Sequence, residues 1–260
     1  MIGFISDWGC SEHYVGVTKA VIKSIHPEAS VIDVTHDIEP FNIRKAAHIL
    51  HRAARDFPAK SVFLVVVDPG VGTSRKAIAM KTKNNQYYVG PDNGLFTFVG
   101  DAFGVVEIRE LENKKLRFSG SNTFHGRDVF APAAAYLDRG ISMEELGSRF
   151  MTYEILRFRR PHKKGNLISG EVAYSDRFGN LQTNIPSEML GSFDDFYAAT
   201  VNSRGKTHKA SLCKTYMEAK HGEIIVHPDS SGFLEIAATK DNAERILGLR
   251  EGDLVEIELE

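Results

Sequence analysis

The chain has 260 residues, 32 Lys and Arg against 34 Asp and Glu for a formal net charge of -2, and 42% hydrophobic residues. That length buries one large core or two ordinary ones without disulfide or metal staples, and the near-balance of charge excludes a phosphate-backbone binder, so no nucleic-acid partner is expected. No window approaches the roughly 18 uninterrupted apolar residues of a membrane span. The two cysteines, Cys10 and Cys213, are far apart, and the start MIGFISDWG lacks the basic residues and long apolar core of a secretion signal. A reducing cytoplasm is therefore the expected compartment.

In chain order, the first half alternates strand-like and helix-like segments: IGFIS, SEHYVGVTKAVIKSIHP, SVIDV, NIRKAAHILHRAARDFP and SVFLVVVD. The helical segments repeat apolar residues at three and four (Val17, Ala20, Val21; Ala46, Ala47, Leu50, Ala53, Ala54), with Ser11 and Asn42 as predicted N-caps and Pro27 and Pro58 as stops. This is a βαβαβ pattern. AIAMKT, the turn Asn84-Asn85 and QYYVG predict a hairpin, followed by the strand GVVEIREL and a helix over APAAAYLDR. The reading is an α/β domain over 1–160, with helices layered on a mostly parallel sheet.

Character changes at RFRRPHKKGN, a basic Pro/Gly junction. Beyond it come short strand-like pieces, LISGEVAYSD, FYAATVNS, KASLC, GEIIVHP, GFLEIAAT and DLVEIELE, with one helical segment, DNAERILG. They predict a second, smaller all-β domain over 166–260, a barrel or a sandwich.

The stretch SVFLVVVDPGVGTSR concentrates the chemistry. Its apolar run suits a strand covered on both faces, and it delivers Asp68 into a turn that ends in Arg75. That turn lies at the strand's carboxyl end, where open α/β sheets bind ligands. Asp7 ends the first strand, so pairing of the two strands brings both carboxylates to one edge. DVTHDIEPFN adds Asp33, His36, Asp37 and Phe41 there. Spacing alone offers Asp7, Asp33, His36 and Asp68 as a metal set, but no closely spaced His pair or acidic metal loop accompanies them. No metal is expected, and His36 reads as a structural or capping histidine.

GSNTFHGRDVFAP places His125 and Gly126 just before a helix, where a histidine either orients or deprotonates a water or stands in a surface loop. SDRFGNLQTNI offers Asp176, Phe178 and Asn180 around a glycine: an Asn amide and an aromatic ring that together hold a purine, or a hairpin turn. PDSSGFLEIA similarly offers Ser230 and Ser231 as ligand contacts or as part of a tight turn.

Taken together, ISDWG, DVTHDIEPF, VVVDPGVGTSR, VGPDNGLFT, NTFHGRD, DRFGNLQTNI and SSGFLEIA, in this order, resemble the S-adenosylmethionine hydroxide adenosyltransferase family. These are adenosine-forming S-adenosylmethionine hydrolases, related to the fluorinase and chlorinase that attack the same substrate with halide. The resemblance implies an N-terminal α/β domain, a C-terminal β-barrel, and a homotrimer with active sites between the N-domain of one subunit and the C-domain of the next. It implies Asp68, Arg75 and His125 as the catalytic triad, with no cofactor, converting S-adenosyl-L-methionine and water to adenosine and L-methionine. Asp7 would hold the ribose hydroxyls, Phe41 the sugar, and Thr123 and Phe124 the reacting carbon. Asp176 and Ser230 would take the methionine amino-acid group, and Asn180, Phe178 and backbone near Ser231 the adenine. The halogenases carry tyrosine at the positions of Asp68 and His125, serine at Gly126 and tryptophan at Gln182, so this chain departs from them at each. The competing readings are a halide-using adenosyltransferase, a metal-dependent hydrolase and a non-catalytic adenosine-binding protein.

Overall fold

The computed structural model of the chain describes residues 1–119, 123–191, 198–214 and 220–260. Gly120, Ser121 and Asn122 of the predicted His125 loop, and Phe196 and Tyr197 of a predicted strand, lie outside the described residues. Two compact units are present, Met1–Leu156 and Arg157–Glu260, and the division falls at the first residue of the basic junction.

The first unit runs β1 (Ile2–Ser6), α1 (Tyr14–Ile25), β2 (Val31–Thr35), α2 (Ile43–Asp56), β3 (Val62–Val66), β4 (Ala77–Thr82), β5 (Tyr87–Pro91), α3 (Thr97–Phe103) and β6 (Val105–Glu110). A π-helical turn, Gly126–Phe130, then leads into α4 (Ala131–Arg139). Its sheet has the order β2-β1-β3-β5-β4-β6, parallel except for β4, which is antiparallel to both its neighbours. β3 is buried along its whole length because alternate residues serve different cores. Val62, Leu64 and Val66 pack with residues of α1 and α4, such as Ile22 and Ala134, while Phe63 and Val65 pack with Ala46, Leu50 and Ala54 of α2. The result is the expected layered α/β/α arrangement.

Helix entry departs from the reading at one point. Asn42 caps α2 by accepting from Lys45 N at 2.9 Å, as its side chain predicts. Ser11 does not cap α1: its hydroxyl donates to Glu12, and the N-cap is His13, which makes no side-chain cap bond. The apolar period extends no further back than Tyr14, so the helix starts there instead.

The second unit comprises β7 (His162–Lys164), β8 (Leu167–Ser175), β9 (Leu181–Pro186), β10 (Ala198–Ser203), β11 (Lys206–Leu212), β12 (Ile224–Pro228), β13 (Phe233–Ala238), α5 (Ala243–Leu247) and β14 (Leu254–Leu259). Pairing of β14 with β8 closes the order β14-β10-β11-β12-β13-β9-β8 into a barrel, leaving β7 outside on β8. Closure removes the sheet edges and resolves the choice between sandwich and barrel. The interior takes Ile168, Leu181, Val201, Val226, Leu234, Ile236 and Ile257.

On the opposite side of the wall, β12, β13 and β9 set His227, Glu235 and Gln182 abreast. His227 Nδ1 lies 3.0 Å from the Pro228 carbonyl and Nε2 lies 3.0 Å from Glu235 Oε1. Both partners are acceptors, so both ring nitrogens donate and the buried imidazole is a cation. Burial opposes that charge, but the bonds to Glu235 and Pro228 outweigh it and raise the pKa above 6.5. The stabilisation is therefore complete below 6.5 and disappears as pH rises through the raised folded-state value. His227→Gln should lower stability by about 3 kcal/mol near pH 6, since it breaks a buried pair. In urea unfolding the gap between native and variant should narrow as pH rises; a gap independent of pH would show that His227 is not a cation in the fold.

Candidate active site

β1 and β3 pair in parallel with Ser6 opposite Val66, so the residues that follow, Asp7 and Asp68, leave the same edge of the sheet. They line a cavity of about 440 Å³ together with Trp8, Tyr14, Pro40, Phe41, Thr123, Phe124, His125 and Gly126. Of the residues singled out in the first half of the sequence, Asp7, Phe41, Asp68, Thr123, Phe124 and His125 meet here. Arg75 stands behind Asp68.

The turn after β3 brings Arg75 back onto Asp68. Arg75 Nε donates to Asp68 Oδ1 at 3.0 Å and Nη2 donates to Oδ2, a bidentate pair with side chains 8% and 6% exposed. Nη2 also lies 3.2 Å from His125 Nδ1. A guanidinium offers only donors, so Nδ1 accepts and the neutral ring carries its proton on Nε2. The Phe130 ring packs on the guanidinium, with 5.4 Å from Cζ to the centroid. Burial raises the Asp68 pKa while Arg75 opposes it, and burial together with Arg75 lowers that of His125. At neutral pH the site holds a carboxylate acceptor, a fixed cation and a neutral imidazole.

Asp7 is raised by burial against a bond from the Phe41 backbone N–H, which reaches its Oδ2 at 2.9 Å. To make that bond Phe41 adopts φ 68°, a left-handed backbone that costs a non-glycine residue about 1–2 kcal/mol. Phe41 is 68% exposed and lines the cavity. Asp33 and His36 do not join the cavity. His36 is buried between Ser6 Oγ at 2.7 Å and Asp33 Oδ1 at 3.0 Å, and Lys19 donates to Asp33 at 2.5 Å. Its carbonyl also accepts from Gly9 N at 2.8 Å, so this histidine ties β2 to the β1 loop. Among the described residues no His, Cys, Asp and Glu group has metal-holding geometry.

In the second unit, Asp176, Phe178 and Asn180 line a separate cavity of about 640 Å³ with Ala238, Lys240, Asp241 and Asn242. Asp176 is also the organiser of its turn: Oδ1 accepts from Phe178 N at 2.8 Å and Asn180 N at 3.0 Å, and Oδ2 from Asn180 Nδ2 at 3.1 Å. Gly179 is required there by φ 80° and because a Cβ would lie 2.1 Å from Asn242 Nδ2. Ser230 and Ser231 sit in the β12–β13 turn, apart from the residues lining this cavity, with Ser231 N donating to Asp229 Oδ1 at 2.8 Å. Gln182, on β9, is buried and donates to Glu235. Sequence reasoning did not single out Trp8, Tyr14, Lys240, Asp241 or Asn242 as cavity walls; only Trp8 carried a signal, its place in ISDWG.

The sequence profile of the SAM hydroxide adenosyltransferase N-terminal domain matches residues 2–147, and that of the C-terminal domain residues 170–256. The chain belongs to this family. It is 36% identical, over 99% of its length and 95% of the relative's, to an (R)-S-adenosyl-L-methionine hydrolase of Methanocaldococcus jannaschii. It is 37% identical, over 96% of each chain, to an (R)-S-adenosyl-L-methionine hydrolase of Thermus thermophilus. A crystal structure of an uncharacterized conserved protein from Thermotoga maritima superposes with TM-score 0.94 at 53% identity, over 99% of both chains. Fluorinases are more distant, one from an Actinoplanes species being 27% identical over 91% of this chain and 90% of its own.

The strained Phe41 backbone gives a direct test. Phe41→Gly relieves the left-handed strain while deleting an exposed ring, so its thermal midpoint should match or exceed that of the native chain. Phe41→Ala, which keeps the strain, should melt below Phe41→Gly; a Phe41→Ala midpoint above that of Phe41→Gly would show that the strain is smaller than the flexibility glycine adds to the unfolded chain.

Proposed function

We propose that the protein hydrolyses S-adenosyl-L-methionine to adenosine and L-methionine by attack of water at C5′. The observation that carries this reading is the half-buried Asp68–Arg75–His125 array at the wall of a cavity that also presents Asp7. Family membership and the similarity to the two (R)-S-adenosyl-L-methionine hydrolases support it.

The chemistry asks little of an acid. As water's oxygen bonds C5′, the C5′–S bond breaks and its electron pair stays on sulfur, giving the neutral thioether of methionine. No leaving-group protonation, metal or cofactor is needed, and the barrier lies in orienting and deprotonating a weak nucleophile. Arg75 cannot accept a proton, and His125 has Nδ1 turned to Arg75 and a proton on Nε2. Asp68 is left as the proton acceptor. Each of its oxygens accepts one bond from Arg75, the Gly70 backbone N–H adds a third, and the remaining acceptor site of the carboxylate is available to water. His125 Nε2–H would hold the water's oxygen, and Asp7 the ribose hydroxyls. A carboxylate at this point repels halide, which disfavours the halogenase alternative.

The relatives' names specify the (R)-sulfonium, and we extend that preference to this chain. We also propose a homotrimer acting in the cytoplasm. The spread of expected substrate contacts over both units supports the trimer. For the compartment, two cysteines in 260 residues suit a reducing environment.

In oxygen-18-labelled water with added chloride, (R)-S-adenosyl-L-methionine should give adenosine labelled at the 5′-hydroxyl. Unlabelled adenosine, a 5′-chloro product or no turnover would each sink the reading. Asp68→Asn should lower kcat by about 10²–10⁴ with little change in KM, as expected for loss of a general base. In the native enzyme kcat should fall on the acid side at a pH above that at which an unperturbed aspartate titrates, because burial raises Asp68. A flat acid limb would remove Asp68 from the proton-acceptor role.

A further inference from the structure

Gly126 opens the π-helical turn immediately after His125. Its φ is not in the left-handed region, so backbone freedom does not account for it, and alanine would favour a helical position by about 1 kcal/mol. Space does account for it. A Cβ at position 126 would lie 2.5 Å from Trp8 Cη2 and 2.6 Å from Cζ2, closer than side chains tolerate.

The indole, which itself lines the cavity, is flanked by three aromatic rings. It stands edge-on to Phe4 of β1, which is fully buried, with ring centroids 5.7 Å apart, and edge-on to Phe124 at 5.3 Å; Tyr14 follows at 6.2 Å. The Phe124 ring in turn packs against Arg127, whose Cζ is 5.1 Å from the centroid. Arg127 is locked to the buried Asp128 carboxylate through Nε at 2.7 Å and Nη2 at 3.0 Å. The segment carrying His125 is thus held from outside by the aromatic seat on Gly126, while the Arg127–Asp128 pair stiffens the segment itself.

We propose that Trp8 is the positioning residue of the nucleophile site: its indole, seated on the bare backbone of Gly126, holds His125 against Arg75 and Asp68. Residue 126 is glycine in order to receive it. The inference rests on the water-attack reading above, and it makes the strand end of β1 serve the site twice, through Asp7 and through Trp8.

A double-mutant cycle over Gly126→Ala and Trp8→Leu tests it, with Trp8 emission as a second readout because the chain has one tryptophan. Gly126→Ala should lower kcat by about 100-fold, as expected for a displaced catalytic group, while KM changes far less. It should also shift the Trp8 emission as the indole leaves its seat. Trp8→Leu should lower kcat too, but adding Gly126→Ala to it should bring no further loss, since the clashing ring is gone. If Gly126→Ala does not fold, recovery of folded protein in the double variant gives the same support. Multiplicative losses in the double variant, or a Gly126→Ala enzyme with native kcat and emission, would overturn the proposal. Adenosine release by the native chain tests the hydrolase reading alone, whereas the emission shift and the coupling of the two substitutions in unfolding stability test the seat even if no turnover is found.

Discussion

Asp68 and Arg75 have side chains only 6% and 8% exposed, and neither is tolerable there without the other. Removing one partner from such a pair costs about 3–5 kcal/mol, because the remaining charge is stranded away from water. The pair needs a rigid base, which β3 supplies by being covered on both faces, and a turn short enough to return the guanidinium to the carboxylate. Fork geometry matters as much as charge: Nε and Nη2 engage one carboxylate oxygen each, and Nη2 remains close enough to His125 to dictate which ring nitrogen accepts. A lysine could supply the charge but not these directions.

One cation thereby sets two protonation states. Burial alone pushes Asp68 toward its neutral acid and His125 toward its neutral base. Arg75 opposes the first shift and reinforces the second. The outcome is an ionised acceptor beside a neutral donor, which suits a reaction whose nucleophile must lose a proton and whose leaving group needs none.

Much of this was legible in the sequence, for identifiable reasons. The β3 run, the α2 period behind Asn42 and the β4–β5 hairpin each carry a strong local signal, and Asp68 and Arg75 are seven residues apart on one turn. Other elements had none. The α3 sequence TFVGDAF buries Thr97, Phe98, Val99 and Gly100 in succession, so it lacks a polar face to reveal its period. β7 is HKK, fully exposed, and is a strand only because β8 offers it an edge. His125 could be joined to Arg75 only by the family resemblance, since 50 residues separate them and the contact depends on a π-helical turn that no local pattern announces. Asp176 shows the opposite difficulty. The turn reading holds, and the same carboxylate that builds the turn also lines a cavity.

Left-handed non-glycine backbone occurs at Lys60 and Asn85 outside the cavity lining, but four other departures from local preference in the first unit meet at one place. Phe41 takes a left-handed backbone, Gly126 forgoes helix propensity, the helix after His125 widens into a π turn, and an ion pair is buried at the end of β3. Each is unfavourable by itself, and all four border one cavity. Their concentration at one sheet edge means that the two-sided core of β1 and β3 over-determines the surrounding backbone and holds it in place. For a reaction limited by the placement of a single water, such stiffness is what the fold can contribute, and the two aspartates, Arg75, His125 and Trp8 are all anchored to it within a few residues of a strand or helix end.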